Sequence, residues 1–129
     1  MMNITFEGKA KVIADFEGYQ TITDLITSMG GDGDALNPFQ LFLVSIGCCT
    51  GLFARQYMEK HQIDLSDKKI EISFDFNETH DLAKVHVVLF VGQNFPAALE
   101  NPLINVCKSC KVKKQINPDI EFSYTIDRH

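Results

Sequence analysis

Apolar and polar residues alternate through the first two dozen positions of the chain, then the alternation gives way to a nearly unbroken apolar run from Phe39 to Phe53. Alternation with β-branched and aromatic residues puts successive side chains on opposite faces, the pattern of a half-buried strand. It predicts strands over 2–7 and 9–16, separated at Gly8, and a third over 19–23 after a Glu17-Gly18 turn. The apolar run predicts a helix entered at Asn37, a good N-cap. Pro38 takes the first helical position, where a missing N–H costs nothing. That helix should reach about His61. Its first half is apolar almost all round, as in a buried central helix, while Arg55, Glu59 and Lys60 mark a wetter end. Gly47 and Gly51 are four apart and share a face that another helix could approach closely.

Alternation returns over 68–76 and 82–91, two strands joined through Asn77-Glu78-Thr79-His80-Asp81 as a hairpin turn. Asn101-Pro102 repeats the cap-and-proline pairing and predicts a short helix leading to Cys107. Asn117-Pro118 stops that segment, and a final alternating strand follows over 120–126. The order of strands and helices predicts an α+β fold, helices packed on a mostly antiparallel sheet, with residues 1–129 as a single domain.

Composition narrows the function classes. At 45% hydrophobic and 22% charged residues, the chain has the make-up of a folded globular protein. A net charge of −5 argues against nucleic acid as a partner. The opening Met1-Met2-Asn3-Ile4-Thr5-Phe6-Glu7 lacks the basic start and apolar segment of a secretory signal. Phe39 to Phe53 is short for a bilayer span and carries Gln40, Ser45 and Thr50. The expectation is a cytoplasmic protein without a membrane partner, whose cysteines stay reduced until chemistry oxidises them. Gly30-Gly31-Asp32-Gly33-Asp34 reads as a loop and lacks the Lys-Ser/Thr ending of a phosphate loop.

The candidate chemistry lies in two thiol clusters, Cys48 and Cys49 inside the apolar helix and Cys107 and Cys110 far along the chain. In a reducing compartment this arrangement suggests paired redox cysteines more than a structural cross-link. Cys48 reads as a core residue, small and apolar on an apolar helix. Cys107 and Cys110, three apart, could form a redox pair of their own. Zinc is disfavoured, because vicinal cysteines point about 100° apart on a helix and would ligate one ion poorly. His61, His80, His86 and His129 show no ligand spacing, and no metal or cofactor is expected. His86, on an alternating strand, reads as a surface or interface residue. Lys108, Lys111, Lys113 and Lys114 read as a solvated helix end.

Four segments then carry a resemblance. They are Tyr19-Gln20-Thr21-Ile22-Thr23-Asp24 with Gly30-Gly31; Pro38-Phe39-Gln40-Leu41; Ser45-Ile46-Gly47-Cys48-Cys49-Thr50; and Cys110-Lys111-Val112-Lys113-Lys114. In this order they resemble the OsmC/Ohr proteins, the osmotically inducible protein C and organic hydroperoxide resistance group, over roughly residues 10 to 127. The resemblance implies an OsmC-like fold, an intertwined homodimer with two long central helices, and active sites at the subunit interface. It implies that Cys49 attacks a hydroperoxide and Cys110 resolves the product as a disulfide, with a small-molecule hydroperoxide and a thiol reductant as partners. Chemically, a thiolate opens the O–O bond, becomes a sulfenic acid and condenses with a nearby thiol.

The chain departs from that pattern at several points. Gln40 falls on or beside the position of a family glutamate, and no arginine precedes Arg55. Cys49 sits too far inside its helix for the helix N-terminus to lower its pKa much. Arg55, six residues on, points about 240° round the same helix. Lys9 and Lys11 are other cations on the early strands, but lysine makes a poorer fork. Lys111 stands where a proline is expected. Burial without a cation then predicts a Cys49 pKa at or above its ordinary value and slow chemistry at neutral pH. Two classes stay open: a thiol peroxidase acting on organic hydroperoxides, and a weakly active or non-catalytic dimer serving as a binding protein or redox sensor.

Overall fold

The computed structural model describes residues 1–129, which form two compact units, Met1–Val44 and Ser45–His129. The first unit opens with β1 (Met2–Glu7), β2 (Lys11–Phe16) and β3 (Tyr19–Thr23), an antiparallel sheet in that spatial order. Register runs from Met2 opposite Phe16 to Glu7 opposite Lys11, then from Val12 opposite Thr23 to Phe16 opposite Tyr19. The turns sit where the sequence places them, with Gly8 and Gly18 at positive φ.

Behind β3 the chain folds into a tight polar loop around the buried Asp24. One carboxylate oxygen accepts the N–H groups of Leu25 (2.8 Å) and Asp32 (3.4 Å), and the other accepts that of Asp34 (3.1 Å). Gly31 has to be glycine here: a Cβ would lie 2.0 Å from the Leu25 carbonyl oxygen. The Lys11 ammonium closes the loop against Asp34 (2.8 Å) and Asp32 (3.3 Å).

α1 (Pro38–Lys60) begins as its sequence suggests. Asn37 accepts the Gln40 N–H at 2.8 Å and Gln40 reaches back to the Asn37 N–H at 2.9 Å, a reciprocal capping box with Pro38 in the first turn. From Ser45 on, the helix belongs to the second unit. Ile46, Thr50, Ala54 and Met58 form a stripe at four-residue spacing and are buried. Within the stripe the Thr50 hydroxyl donates to the Ile46 carbonyl at 2.8 Å.

The expectation of a helix buried all round is not met in the single chain. Those four are the buried residues among 23, and Phe39, Val44 and Leu52 are exposed. One sheet covers one face of a helix, so a helix apolar on every side needs further partners. At 23 residues, α1 also has the length and composition of a membrane span, longer than the Phe39–Phe53 run implies. Its buried stripe nevertheless commits one face to the protein core.

The second unit continues with β4 (Lys69–Phe76) and β5 (Leu82–Phe90), an antiparallel hairpin whose register shifts at Asp75/Phe76. β6 (Glu121–Asp127) lies on the other side of β5 and runs parallel to it, from Lys84 opposite Glu121 to Phe90 opposite Asp127. A parallel pair needs a long crossover, and α2 (Glu100–Lys108) supplies it. Val85, Val87 and Leu89 of the central strand point inward and are buried, with Val91, Phe95, Leu103 and Cys107 completing the core. The start of α2 departs from expectation. A short 3-10 turn, Ala97–Leu99, precedes it and Leu99 takes the cap position, so Asn101 and Pro102 lie inside the first turn. Proline is tolerated there because first-turn N–H groups have no partner within the helix.

Candidate active site

All four cysteines are free thiols. Neighbouring positions on α1 separate Cys48 from Cys49 by about a quarter turn. Cys48 is exposed, not a core residue as its apolar surroundings suggest, because that side of α1 has nothing against it in the single chain. Cys49 faces an open cleft of about 580 Å³ lined by Leu52, Phe53 and Gln56 of the same helix and by Lys111, Val112 and Gln115.

The structure brings Cys49 and Cys110 together and leaves Cys107 out. The Cys49 and Cys110 thiols are hydrogen-bonded to one another, while Cys107 is fully buried at the end of α2. α2 ends at Lys108, and the chain turns so that the Cys110 N–H meets the Cys107 carbonyl at 3.2 Å. This turn takes Cys110 out of the helix and onto Cys49, so the two late cysteines do not share a helical face.

The electrostatics follow from these contacts. Burial pushes the Cys49 thiol up. The Cys110 S–H, which donates to it, and the backbone N–H groups of Val112 and Lys111 outweigh that, and the net shift is downward. Cys110 moves the opposite way, raised by burial and by its bond to Cys49, while the Lys113 N–H donates to its sulfur at 3.5 Å. When the pair loses a proton, these shifts favour Cys49 as the thiolate and Cys110 as the thiol. This corrects the expectation of a Cys49 pKa at or above the ordinary thiol value. The missing cation was the wrong quantity to follow, since the Cys110 S–H and, after it, the amide dipoles of Val112 and Lys111 supply the compensation. Cys107 is pushed up to about 12, first by burial and then by the charge of Cys110.

The residues named as departures take other roles. Gln40 is engaged in the α1 capping box. Arg55 turns away from Cys49: it pairs with Glu59 at 2.7 Å and lines a separate apolar cavity of about 170 Å³ with Gly51, Met58 and Leu65. Lys11 belongs to the Asp32 and Asp34 loop. Lys108 and Lys113 are not free in solvent, since their ammonium groups lie over the Tyr124 and Phe122 rings at 6.0 and 5.1 Å.

Sequence reading missed two features beside the thiols. One is the set of backbone N–H groups at 111–113, for which the only sequence signal is the lack of proline in that stretch. The other is Tyr124, whose buried hydroxyl has no hydrogen-bond partner and whose pKa is raised by burial and by Cys107 and Cys110. Its alternation on β6 marks it only as an inward residue.

Two other clusters have structural explanations. Carboxylate oxygens of Asp24, Asp32 and Asp34 lie within 4.8 Å of one another, but the Asp24 pair accepts three backbone N–H groups and Lys11 holds the other two. His86 bridges Asp75 (2.8 Å) and Ser123 (3.0 Å) across β4, β5 and β6, a polar row on the face opposite Val85 and Val87.

Comparison with known proteins places this geometry. Residues 31–125 match the family model described as OsmC-like protein. No curated protein matches the chain. Among solved structures, a Psychrobacter arcticus 273-4 protein named for an osmotic stress induced and detoxification response aligns with a TM-score of 0.80 at 22% identity, covering 98% of this chain and 94% of that one. An OsmC-like protein of Mycoplasma pneumoniae aligns at 0.73 and 11% identity, covering 100% and 96%. An organic hydroperoxide resistance protein OsmC of Legionella pneumophila aligns at 0.64 and 16% identity, covering 98% and 95%. At these identities the structural likeness speaks for the fold.

Proposed function

The chain belongs to the OsmC-like protein family, and from that premise we propose that it reduces organic hydroperoxides with Cys49 as the attacking thiol and Cys110 as the resolving thiol. The observation that carries this reading is the Cys49–Cys110 hydrogen bond, with the pKa lowered on the sulfur that faces an apolar cleft. The relatives named for hydroperoxide resistance lend it support.

The chemistry closes as follows. The Cys49 thiolate attacks the terminal oxygen of the hydroperoxide, forming an S–O bond as the O–O bond breaks, and the alkoxide leaves as alcohol after taking a proton. Cys110, already in contact, attacks the sulfenic sulfur. An S–S bond forms, water leaves, and the disulfide awaits two electrons from an external thiol. Placing the resolving thiol on the attacking sulfur shortens the life of the sulfenic acid and limits irreversible over-oxidation. Leu52, Phe53 and Val112 favour an apolar organic group on the peroxide.

Assembly is the second half of the proposal. Phe6 and Tyr19 are 80% and 78% exposed, and Met2, Ile4 and Ile22 are exposed beside them. So much apolar surface on one small sheet supports the intertwined homodimer, in which a second copy covers it.

Stopped-flow oxidation with cumene hydroperoxide tests the chemistry. The expected result is loss of two thiols per chain, abolished by Cys49→Ser. In Cys110→Ser, one thiol is lost and a sulfenic acid can be trapped. Thiols inert to millimolar peroxide would leave the binding-protein reading in its place. Sedimentation at micromolar concentration should give about twice the chain mass; a clean monomer would sink the dimer.

A further inference from the structure

Three successive backbone N–H groups end on sulfur. That of Lys111 points at Cys49, that of Val112 is shared between Cys49 and Cys110, and that of Lys113 donates to Cys110 at 3.5 Å. Successive N–H groups in a turn form a concave cluster of partial positive charges, a shape suited to an anion. Lys111 and Val112 also line the cleft onto which Cys49 opens, so the cluster and the reactive face of the sulfur share one space.

Neither arginine nor Lys113 fills that place within the chain. Arg55 is held by Glu59 and lines another cavity, Arg128 is held by Glu100 at 2.6 Å, and Lys113 lies over the Phe122 ring. The groups facing Cys49 that carry or exchange a proton are Cys110 and, across the cleft, the Lys111 side chain.

We propose that the turn 111–113 takes the place of a cation beside Cys49: the main-chain N–H groups of Lys111 and Val112, working with the Cys110 S–H and not with an arginine or lysine side chain, stabilise the Cys49 thiolate. The role of position 111 is then carried by its N–H, and its side chain is free to vary. In the folded chain this makes Lys111 and Val112 positioning residues for the attacking sulfur. The assignment deepens the peroxidase reading and rests on it for its use, although the charge on Cys49 can be measured without any peroxide.

The decisive pair is Lys111→Pro, which removes the N–H, and Lys111→Ala, which keeps it and removes the ammonium. Both are made in a Cys48→Ser background, so that the exposed Cys48 does not contribute to the signal. The readout is the pH dependence of Cys49 alkylation, with thiolate absorbance as a check. In the parent, Cys49 should titrate below an ordinary thiol. Lys111→Ala should stay within about twofold of the parent rate at pH 7. Lys111→Pro should slow alkylation at pH 7 roughly tenfold and move the profile to higher pH, the size expected for one hydrogen bond to a charged acceptor. Equal losses in the two variants would assign the role to the ammonium and overturn the proposal, as would two folded variants with unchanged profiles.

Salt supplies a test that needs no proline. Amide dipoles in contact with sulfur are little screened, so the parent titration should move little between 0.05 and 1 M salt, ionic strengths that shorten the screening length severalfold. A marked upward move would point to a mobile side-chain cation. A chain that shows this titration pattern but consumes no peroxide would end the peroxidase reading and leave the amide role standing. A working peroxidase with an ordinary Cys49 titration would do the reverse.

Discussion

The two units of this chain solve opposite problems. Residues 1–44 concentrate their order in a polar knot, where Asp24, Gly31, Lys11, Asp32 and Asp34 satisfy one another, and leave the β1–β3 sheet with all six residues of β1 exposed. Residues 45–129 build a hydrophobic core on β5, α2 and the buried stripe of α1, and place their one reactive polar cluster at its edge. A sheet with a core of its own holds itself together. A sheet whose apolar side chains face outward is shaped for something else to cover it, which is why assembly and chemistry can be probed separately.

The largest contrast should appear between matched deletions. Leu103→Ala empties a fully buried site in the second unit and should cost about 2–5 kcal/mol of unfolding free energy in urea. Phe6→Ala removes a larger side chain that is 80% exposed, and in an isolated chain should cost no more than about 0.5 kcal/mol. If Phe6→Ala instead approaches Leu103→Ala and lowers the sedimenting mass, a second copy covers β1. A small cost with unchanged mass would leave this face uncovered.

pH separates the units next. In the first, burial raises the Asp24 carboxyl, but the N–H groups of Asp34, Leu25 and Asp32, aided by Lys11, bring it below its usual range. A depressed carboxyl contributes stability that is present above the unfolded value near 4 and is lost as pH falls through the folded value. Asp24→Asn should flatten that acid limb in a melting series from pH 7 to pH 3. In the second unit Cys107 is pushed up to about 12. A raised thiol contributes stability that is complete below its unfolded value near 9 and is lost as pH climbs towards 12. Cys107→Ala should reduce this alkaline loss, the remainder belonging to the raised Cys110 and Tyr124. The comparison breaks if Asp24→Asn leaves the acid limb intact or if Cys107→Ala leaves the alkaline one.

The smallest effect is expected at Arg55. Its pair with Glu59 is exposed and i, i+4, so Arg55→Ala should cost at most about 0.5 kcal/mol. It should also leave the Cys49 alkylation profile where it was. A large upward shift of that profile would show that Arg55 reaches a thiolate in the assembled protein.

Much of the fold was legible in the residues themselves, because strand and helix periods are local properties. Alternation located all six strands, Asn37-Pro38 located the start of α1, and Gly8 and Gly18 located turns that need positive φ. The choice of Cys49 and Cys110 came from their motifs, not from anything local. What only the tertiary structure decided lies in contacts between distant segments. It made β6 parallel to β5, left one side of α1 uncovered, exposed Cys48 and buried Cys107. It also set the proton balance at Cys49, whose pKa is lowered first by the Cys110 S–H and then by main-chain N–H groups, all about sixty residues away. Every residue but proline carries such a group, so no sequence pattern announces it; only the turn that aims it at the sulfur makes it count.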